Sequence, residues 1–513
     1  MNASPALAPA AQLARVLGAR GSRATVGEAD PAGPLSSATR AVLAGAASWW
    51  RRRVAAAGLD ATWADPTTAI GGLGGSVDAD QEQETTAPSS GPDLLTVDGW
   101  TLGQAYTASL APGARARHGR HYTPATLAEV VWARARTASG APKSARALPG
   151  RVLDPSCGAG ALLLPPLREH LQATRAQEGA FVLAGLPRLV SGVDADPVAA
   201  WIANVVLAAE MLPTLQRTPP KARRPLPRLV EVGDGLADHG SAHTVLMNPP
   251  YGRVRLTAED RARFAHVLWG HANLYAMFVA AGLSALEDGG VLSALVPTSL
   301  TAGRYSTNLR GALAREAALR DVVFVADRSG SFAGVLQETC VATFSGRRHQ
   351  HSTVAAVEDG ETVEVARVPA PRGDGPWLLP RGADDAAVAA AAATMPNTLR
   401  SSGWRVSTGP LVWNRRSADL HPRAGGQRLR VVWAADIDGG RLHRDKARDH
   451  TRWLRMRDAH DRAVNALTGP AVLVQRTTAP EQARRLVAAD LSPDLLEQWG
   501  GSVVVENHVN VLR

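Results

Sequence analysis

From Leu148 to Phe344 short β-branched or apolar runs alternate with stretches of helical period. The runs predict strands at Arg151–Leu153, Leu189–Val193, Leu229–Val232, Thr244–Met247, Val291–Val296, Val322–Val325 and Cys340–Phe344. Helices are expected between them at Pro197–Leu212, Leu274–Glu287 and Ser306–Glu316. Strands alternating with helices imply an α/β fold, a mostly parallel, Rossmann-like sheet with helices on both faces. A ligand of such a sheet lies beyond the carboxyl ends of its strands.

Outside this stretch the pattern weakens. Residues 1–95 are rich in Ala, Gly, Ser, Pro and Thr, and Gly71–Gly91 reads as a flexible linker. Trp49 and Trp50, next to Arg51–Arg53, fit a helix that packs through its large apolar side chains. The expected domains are an N-terminal region at 1–95, the α/β domain at 96–355, a linker with a short Ala-rich helix at 356–400, and a smaller mixed α+β domain at 401–513. Pro369–Asp385 reads as a hinge. In the last domain Trp404, Trp413, Trp433, Trp453 and Trp499 are interleaved with short strands. The chain stops soon after the last of these strands, which leaves open that this domain is incomplete.

The length of 513 residues calls for more than one core. With 45% hydrophobic and 20% charged residues, full disorder, collagen and coiled coil are excluded. Net charge is +9, and Arg400–Arg513, with nineteen basic and twelve acidic residues, carries +7 of it. Such a basic module suits a polyanion such as nucleic acid, although an Arg-rich, Ala-rich composition throughout has the same signature. Cys157 and Cys340 alone make no disulfide framework, and no apolar run reaches 18 residues, so a soluble cytoplasmic protein without a membrane partner is expected. His118 with His121, and His349 with His351, lie near arginines and lack neighbouring carboxylate or thiolate sets; no metal is expected at either pair.

The candidate chemistry follows the strands. The first runs into Asp154-Pro155-Ser156-Cys157-Gly158-Ala159-Gly160. Glycines there let a ligand approach the backbone, but Leu163 stands where a dinucleotide motif has its third glycine. The leading Asp154 opposes a pyrophosphate and suits a cationic or hydrogen-bond-donating group, which favours S-adenosylmethionine over NAD. Asp194, ending the second strand, is suited to a ribose diol, while Asp196 before Pro197 is suited to capping a helix. The interval between Asp154 and Asp194 exceeds the usual spacing, as an insertion near Thr174–Pro187 would explain. Asp234, in Gly-Asp-Gly, is equally suited to accepting from an adenine amino group and to an ordinary turn. Asn248-Pro249-Pro250-Tyr251 is the most specific signal, recurring by chance about once in 10^5 positions. On a loop stiffened by two prolines, the Asn248 side-chain oxygen and Pro249 carbonyl can accept both protons of one amino group, freeing its lone pair. Tyr251 offers a ring to a planar base.

With these residues in order, the chain resembles the gamma-class, TaqI-like adenine methyltransferases of restriction-modification systems. The resemblance extends from about Leu102 to Phe344, and more loosely from Gly403 onward. It implies a Rossmann-like S-adenosylmethionine-dependent sheet followed by a DNA-recognition domain. Its implied activity is site-specific methylation at the N6 amino group of a flipped adenine in double-stranded DNA. It also assigns roles. Tyr122-Thr123-Pro124 would pack on the cofactor's methionine end; Asp154, Pro155, Gly158 and Gly160 would form the cofactor loop; Asp194 would bind the ribose and Asp234 the adenine. Asn248, Pro249, Pro250 and Tyr251 would be catalytic, with Tyr251 and Phe332 sandwiching the target base. Pro165-Pro166 departs from the family by falling where its first helix runs on, and Gly235 replaces a bulkier residue that stacks on the cofactor adenine.

The same loop occurs in methylases of protein glutamine and of ribosomal RNA, usually short chains without a basic C-terminal domain. A catalytically silent DNA-binding subunit is a further alternative. A metal-dependent nuclease needs paired acids followed by a lysine, and Lys143, Lys221 and Lys446 follow no such pair; restriction activity would come from a separate subunit.

Overall fold

A computed structural model of the chain describes residues 36–59, 97–110, 122–140, 147–252, 254–325, 338–358, 361–478, 484 and 486–513. By its contacts the chain divides into two compact units, Met1–Ala393 and Thr394–Arg513.

The first unit is built on a nine-stranded sheet: β1 Val152–Asp154, β2 Val190–Asp194, β3 Val230–Val232, β4 Ala242–Met247, β5 Leu286–Pro297, β6 Ala318–Val325, β7 Thr339–Ser345, β8 His351–Glu358 and β9 Glu361–Pro369. Their order is β3-β2-β1-β4-β5-β7-β6-β8-β9. Strands β3 to β5 run parallel, β7 is antiparallel to both β5 and β6, β8 is parallel to β6, and β9 is antiparallel to β8. All seven strands expected from the sequence are present, and β5 shows why, since it buries apolar side chains on alternate faces. Val291 and Leu295 join one buried cluster, while Leu292, Ala294 and Val296 join the other. Helices Ser37–Ala56, Gly99–Ser109, Ala125–Ala138, Leu164–Ala173 and Pro197–Arg217 cover the first face; Leu274–Ser284 and Thr307–Glu316 cover the second. The α/β architecture with helices on both faces is therefore the one expected.

The structure corrects the sequence reading in the linker. Residues 356–358 are not linker but the end of β8, and residues 361–369 are all of β9. Strand β9 is an edge whose side chains are mostly exposed on both faces, so its sequence carries charges rather than a clean apolar alternation. The supposed hinge also packs on this unit. Trp377 is buried beside Phe344, its backbone N–H donates to the Thr301 carbonyl (2.7 Å), and the buried Arg310 guanidinium donates to the Asp374 and Gly375 carbonyls.

Other departures have local causes. Pro165 and Pro166 fall in the first turn of helix Leu164–Ala173, after a 3-10 turn at Ala161–Leu163; a missing N–H costs no helical bond there. The long interval between Asp154 and Asp194 holds an extra helix, Gly179–Leu189. Trp49 and Trp50 are buried; the Trp49 indole N–H and Arg53 guanidinium both donate to the Val97 carbonyl at 2.8 Å. Helix Pro197–Arg217 is long and apolar enough to cross a membrane by length and composition, but it is mostly buried among the elements of this unit.

The second unit holds a four-stranded sheet, a five-stranded mixed sheet and a two-stranded ribbon, with short helices Ala459–Asn465 and Pro493–Gln498. Much of its arginine charge is engaged internally. Asp419 is buried and accepts from Arg416 (2.8 Å), Arg455 (2.7 Å) and Arg457 (2.8 Å). Burial opposes its charge, but these hydrogen bonds outweigh it and hold the carboxyl well below the usual range. Arg452 likewise pairs with buried Asp436 at 2.6 Å.

Candidate active site

Strands β2, β1 and β4 are neighbours running in one direction, so Asp194, Asp154 and the loop that starts at Asn248 emerge at one sheet edge. The chain progresses from β1 outward to β2 and β3 on one side and to β4 and β5 on the other. This is the crevice where doubly wound sheets bind ligands.

The loop after β1 is tightly fixed. Gly158 (φ 51°) and Gly160 (φ 85°) adopt the left-handed region that favours glycine. Asp154 is almost fully buried, and one of its oxygens accepts from the Ser156 backbone N–H at 3.0 Å. Burial, reinforced by the nearby Asp194 carboxylate, pushes the Asp154 acid up to about 8 against that hydrogen bond. A buried acid with a second acid near it suits a cationic ligand. Asp194 itself accepts from the Gly158 backbone N–H (2.9 Å) and the Asp196 backbone N–H (2.8 Å), one on each oxygen. It thus ties the two loops together. Asp196 caps helix Pro197–Arg217 through the Val198 N–H (3.0 Å) and accepts from the Tyr106 hydroxyl.

Tyr106 was not found in the sequence. It lies ninety residues before its partner, and no local pattern marks such a pair. Asp234 is exposed and accepts from the Leu236 N–H at 2.9 Å, forming the ordinary turn that its sequence also suited. The following Gly235 is buried, and a Cβ there would lie 1.8 Å from the Pro155 carbonyl oxygen. The bulky residue of related sequences therefore has no room at this position.

The catalytic-loop candidates meet the N-terminal segment directly. Thr123 is buried, and its Oγ1 accepts from the Asn248 side-chain nitrogen at 3.0 Å. The Tyr251 hydroxyl lies 3.0 Å from both Asn248 Oδ1 and the Leu295 carbonyl, and its single proton can satisfy one of them at a time. Its half-buried ring packs on the second apolar cluster. Pro249 is buried and Pro250 half-buried. The Tyr122 ring lies against Gly103, where a Cβ would come within 2.3 Å of it, and its buried hydroxyl finds no protein partner among the described residues. Pro124 starts helix Ala125–Ala138. Phe332, the candidate second ring, lies outside the described residues, as do His118 and His121. His349 hydrogen-bonds the Leu319 and Arg347 carbonyls, and no group of metal-ligating side chains occurs among the described residues.

This arrangement has relatives. Residues 191–332 match the family of Eco57I restriction-modification methylases. The match covers β2 from Ser191, all of β3 to β6 and the Asn248 loop, though less than a third of the chain. The type II methyltransferase M.PstI of Providencia stuartii is 26% identical over 276 residues, covering 49% of this chain and 52% of that protein. M.BsuBI of Bacillus subtilis is 22% identical over 278 residues, covering 52% of this chain and 55% of its own. The chain thus spans about half the length of these relatives. Among solved structures, the type IIL restriction-modification enzyme MmeI in complex with DNA superposes with a TM-score of 0.50 at 14% identity, over 81% of this chain and 65% of that one. At that identity the likeness establishes the α/β fold alone.

Proposed function

We propose that the chain is a site-specific DNA methyltransferase that transfers a methyl group from S-adenosylmethionine to the N6 amino group of a flipped adenine. The observation that carries this reading is the placement of Asn248, held by Thr123, at the sheet edge shared with Asp154 and Asp194. Similarity to restriction-modification methylases supports DNA as the substrate and a separate restriction subunit as a partner.

In this reading the buried Asp154 faces the cofactor's positive charge, the Gly158–Gly160 backbone lets it approach, and Asp194 receives its ribose. Asp234 is assigned to its adenine, and Tyr122, Thr123 and Pro124 border its methionine end. S-adenosylmethionine, when bound, supplies an electrophilic methyl group. Asn248 Oδ1 and the Pro249 carbonyl accept the two amino protons of the target base. That contact draws the nitrogen toward a tetrahedral shape and localises its lone pair for attack. As the N–C bond formed, the sulfonium's S–CH3 bond would break and leave a neutral thioether, and the surplus amino proton would pass to solvent, so no general base is required. Tyr251 covers one face of the base, and Phe332 is assigned the other from the sequence. An adenine amino group within a duplex cannot reach such a loop, so the base must leave the stack at a cost of a few kcal/mol.

Asn248→Ala should lower kcat by about a hundredfold or more, the scale of losing one hydrogen-bonding partner for charge that develops in the transition state. S-adenosylmethionine affinity, measured by calorimetry, should be retained. Near-normal turnover would remove Asn248 from catalysis.

A further inference from the structure

Beside the catalytic loop lies a group of exposed rings that the proposed chemistry does not use. Trp269 and Tyr305 keep 46% and 52% of their surface open, and His271 is exposed between them in sequence. The His271 and Tyr305 rings lie 5.9 Å apart at a tilt of 48°. Gly270 (φ 66°) lies against the Tyr305 ring, with its Cβ position 3.1 Å from the ring edge, so the absence of a side chain lets the ring rest on the loop backbone. The loop is anchored: Asn308 Nδ2 donates to the Leu268 carbonyl at 2.7 Å.

Three hydrogen bonds fasten this segment to the residues directly after Tyr251. The Leu274 N–H donates to the Gly252 carbonyl (3.1 Å), the Val254 N–H to the Ala272 carbonyl (3.2 Å), and the Gly252 N–H to Asn273 Oδ1 (3.4 Å). The rings therefore border the Asn248–Tyr251 loop. Around them Arg255 and Arg304 are exposed.

We infer that Trp269, His271 and Tyr305 form a stacking surface for DNA bases next to the extruded nucleotide. The inference rests on the methyltransferase reading above. A nucleotide inserted at Asn248 stays covalently joined to its neighbours, so the surface bordering the loop must meet them. The chemistry fits that occupant. Rings with flanking guanidinium groups offer stacking and phosphate contacts without reading sequence.

The test uses the full chain and a fluorescent duplex that the wild-type protein methylates, selected from a random-sequence pool. Trp269→Ala and Tyr305→Ala should each weaken duplex binding about tenfold, within the range of one lost base stack. Tyr305→Phe, which keeps the ring, should bind nearly as the wild type does. S-adenosylmethionine affinity and melting temperature should be unchanged in all three, which separates a lost contact from a damaged fold. Unchanged duplex affinity in both alanine variants overturns the inference, as does equal weakening in Tyr305→Phe and Tyr305→Ala. If the selection yields no duplex that the wild type methylates, the methyltransferase reading fails and this inference with it.

Discussion

Thr123 has a partner in the structure that its sequence did not announce. Beside the cofactor contact proposed for the Tyr-Thr-Pro segment, the Thr123 hydroxyl oxygen accepts from the Asn248 amide. That bond engages the amide nitrogen and so fixes which way the amide oxygen faces. Thr123→Val keeps the shape but removes the acceptor, and should lower kcat about two- to tenfold, from the roughly 0.5–1.5 kcal/mol of one hydrogen bond. Thr123→Ser should restore it, and S-adenosylmethionine affinity should hardly move in either. A change confined to cofactor affinity would leave Thr123 with the cofactor contact alone. Asp154 yields a second prediction at this scale. Its acid is raised in the folded protein from 3.8 to about 8, so the protonated form favours folding. The associated stability is fully present below pH about 4 and is lost as pH rises through about 8, at up to roughly 1.4 kcal/mol per pH unit. The melting temperature of the cofactor-free protein should fall across that window, and Asp154→Asn should flatten the fall. An identical pH profile in the variant would contradict the assignment. Of the residues involved, Asn248, Asp154 and Asp194 were legible because each ends a strand or follows one in a short, rare pattern. Tyr106, Gly235 and the Thr123–Asn248 bond depend on partners distant in sequence, and nothing local announces them.

Among elements, the parallel half of the sheet was legible because its strands bury both faces and read as short apolar runs. Strands β8 and β9 were not: β9 is an edge that stays polar, and β8, though paired on both sides, is made largely of small Ser, Thr and Ala residues, so a boundary set by falling apolarity cut them off. The loops carry tighter constraints than their composition shows. Gly235 sits in what reads as an ordinary Asp-Gly turn, yet an added Cβ would meet the Pro155 carbonyl at 1.8 Å and the Phe278 ring at 2.7 Å. Gly235→Ala should therefore displace the cofactor loop, destabilising the fold by about 1–3 kcal/mol and weakening cofactor binding. Gly185 lies inside helix Gly179–Leu189 with nothing within 4 Å of its Cβ position. Gly185→Ala should instead stabilise by about 0.5–1 kcal/mol. Thermal melts of the two variants check both signs; a Gly235→Ala protein with normal melting and normal cofactor affinity would show that the close approach is not needed.

At the scale of the molecule, the sequence suggested four segments, and by its contacts the chain divides into two compact units. The net +7 of the second unit already subtracts its acids, but several of its arginines are also tied into its own fold. Arg416, Arg452, Arg455 and Arg457 all pair with Asp419 or Asp436 inside it. Charge alone thus does not establish DNA as the substrate; the Asn248 loop and the relatives of its domain carry that reading. The most direct test is to incubate the full chain with methyl-labelled S-adenosylmethionine and unmodified genomic DNA, digest the DNA to nucleosides and identify the labelled one. Label is expected in N6-methyl-2′-deoxyadenosine, and in Asn248→Ala its rate of appearance should fall by about a hundredfold or more. Label in cytosine, or DNA left unlabelled by the wild-type protein, would contradict that expectation.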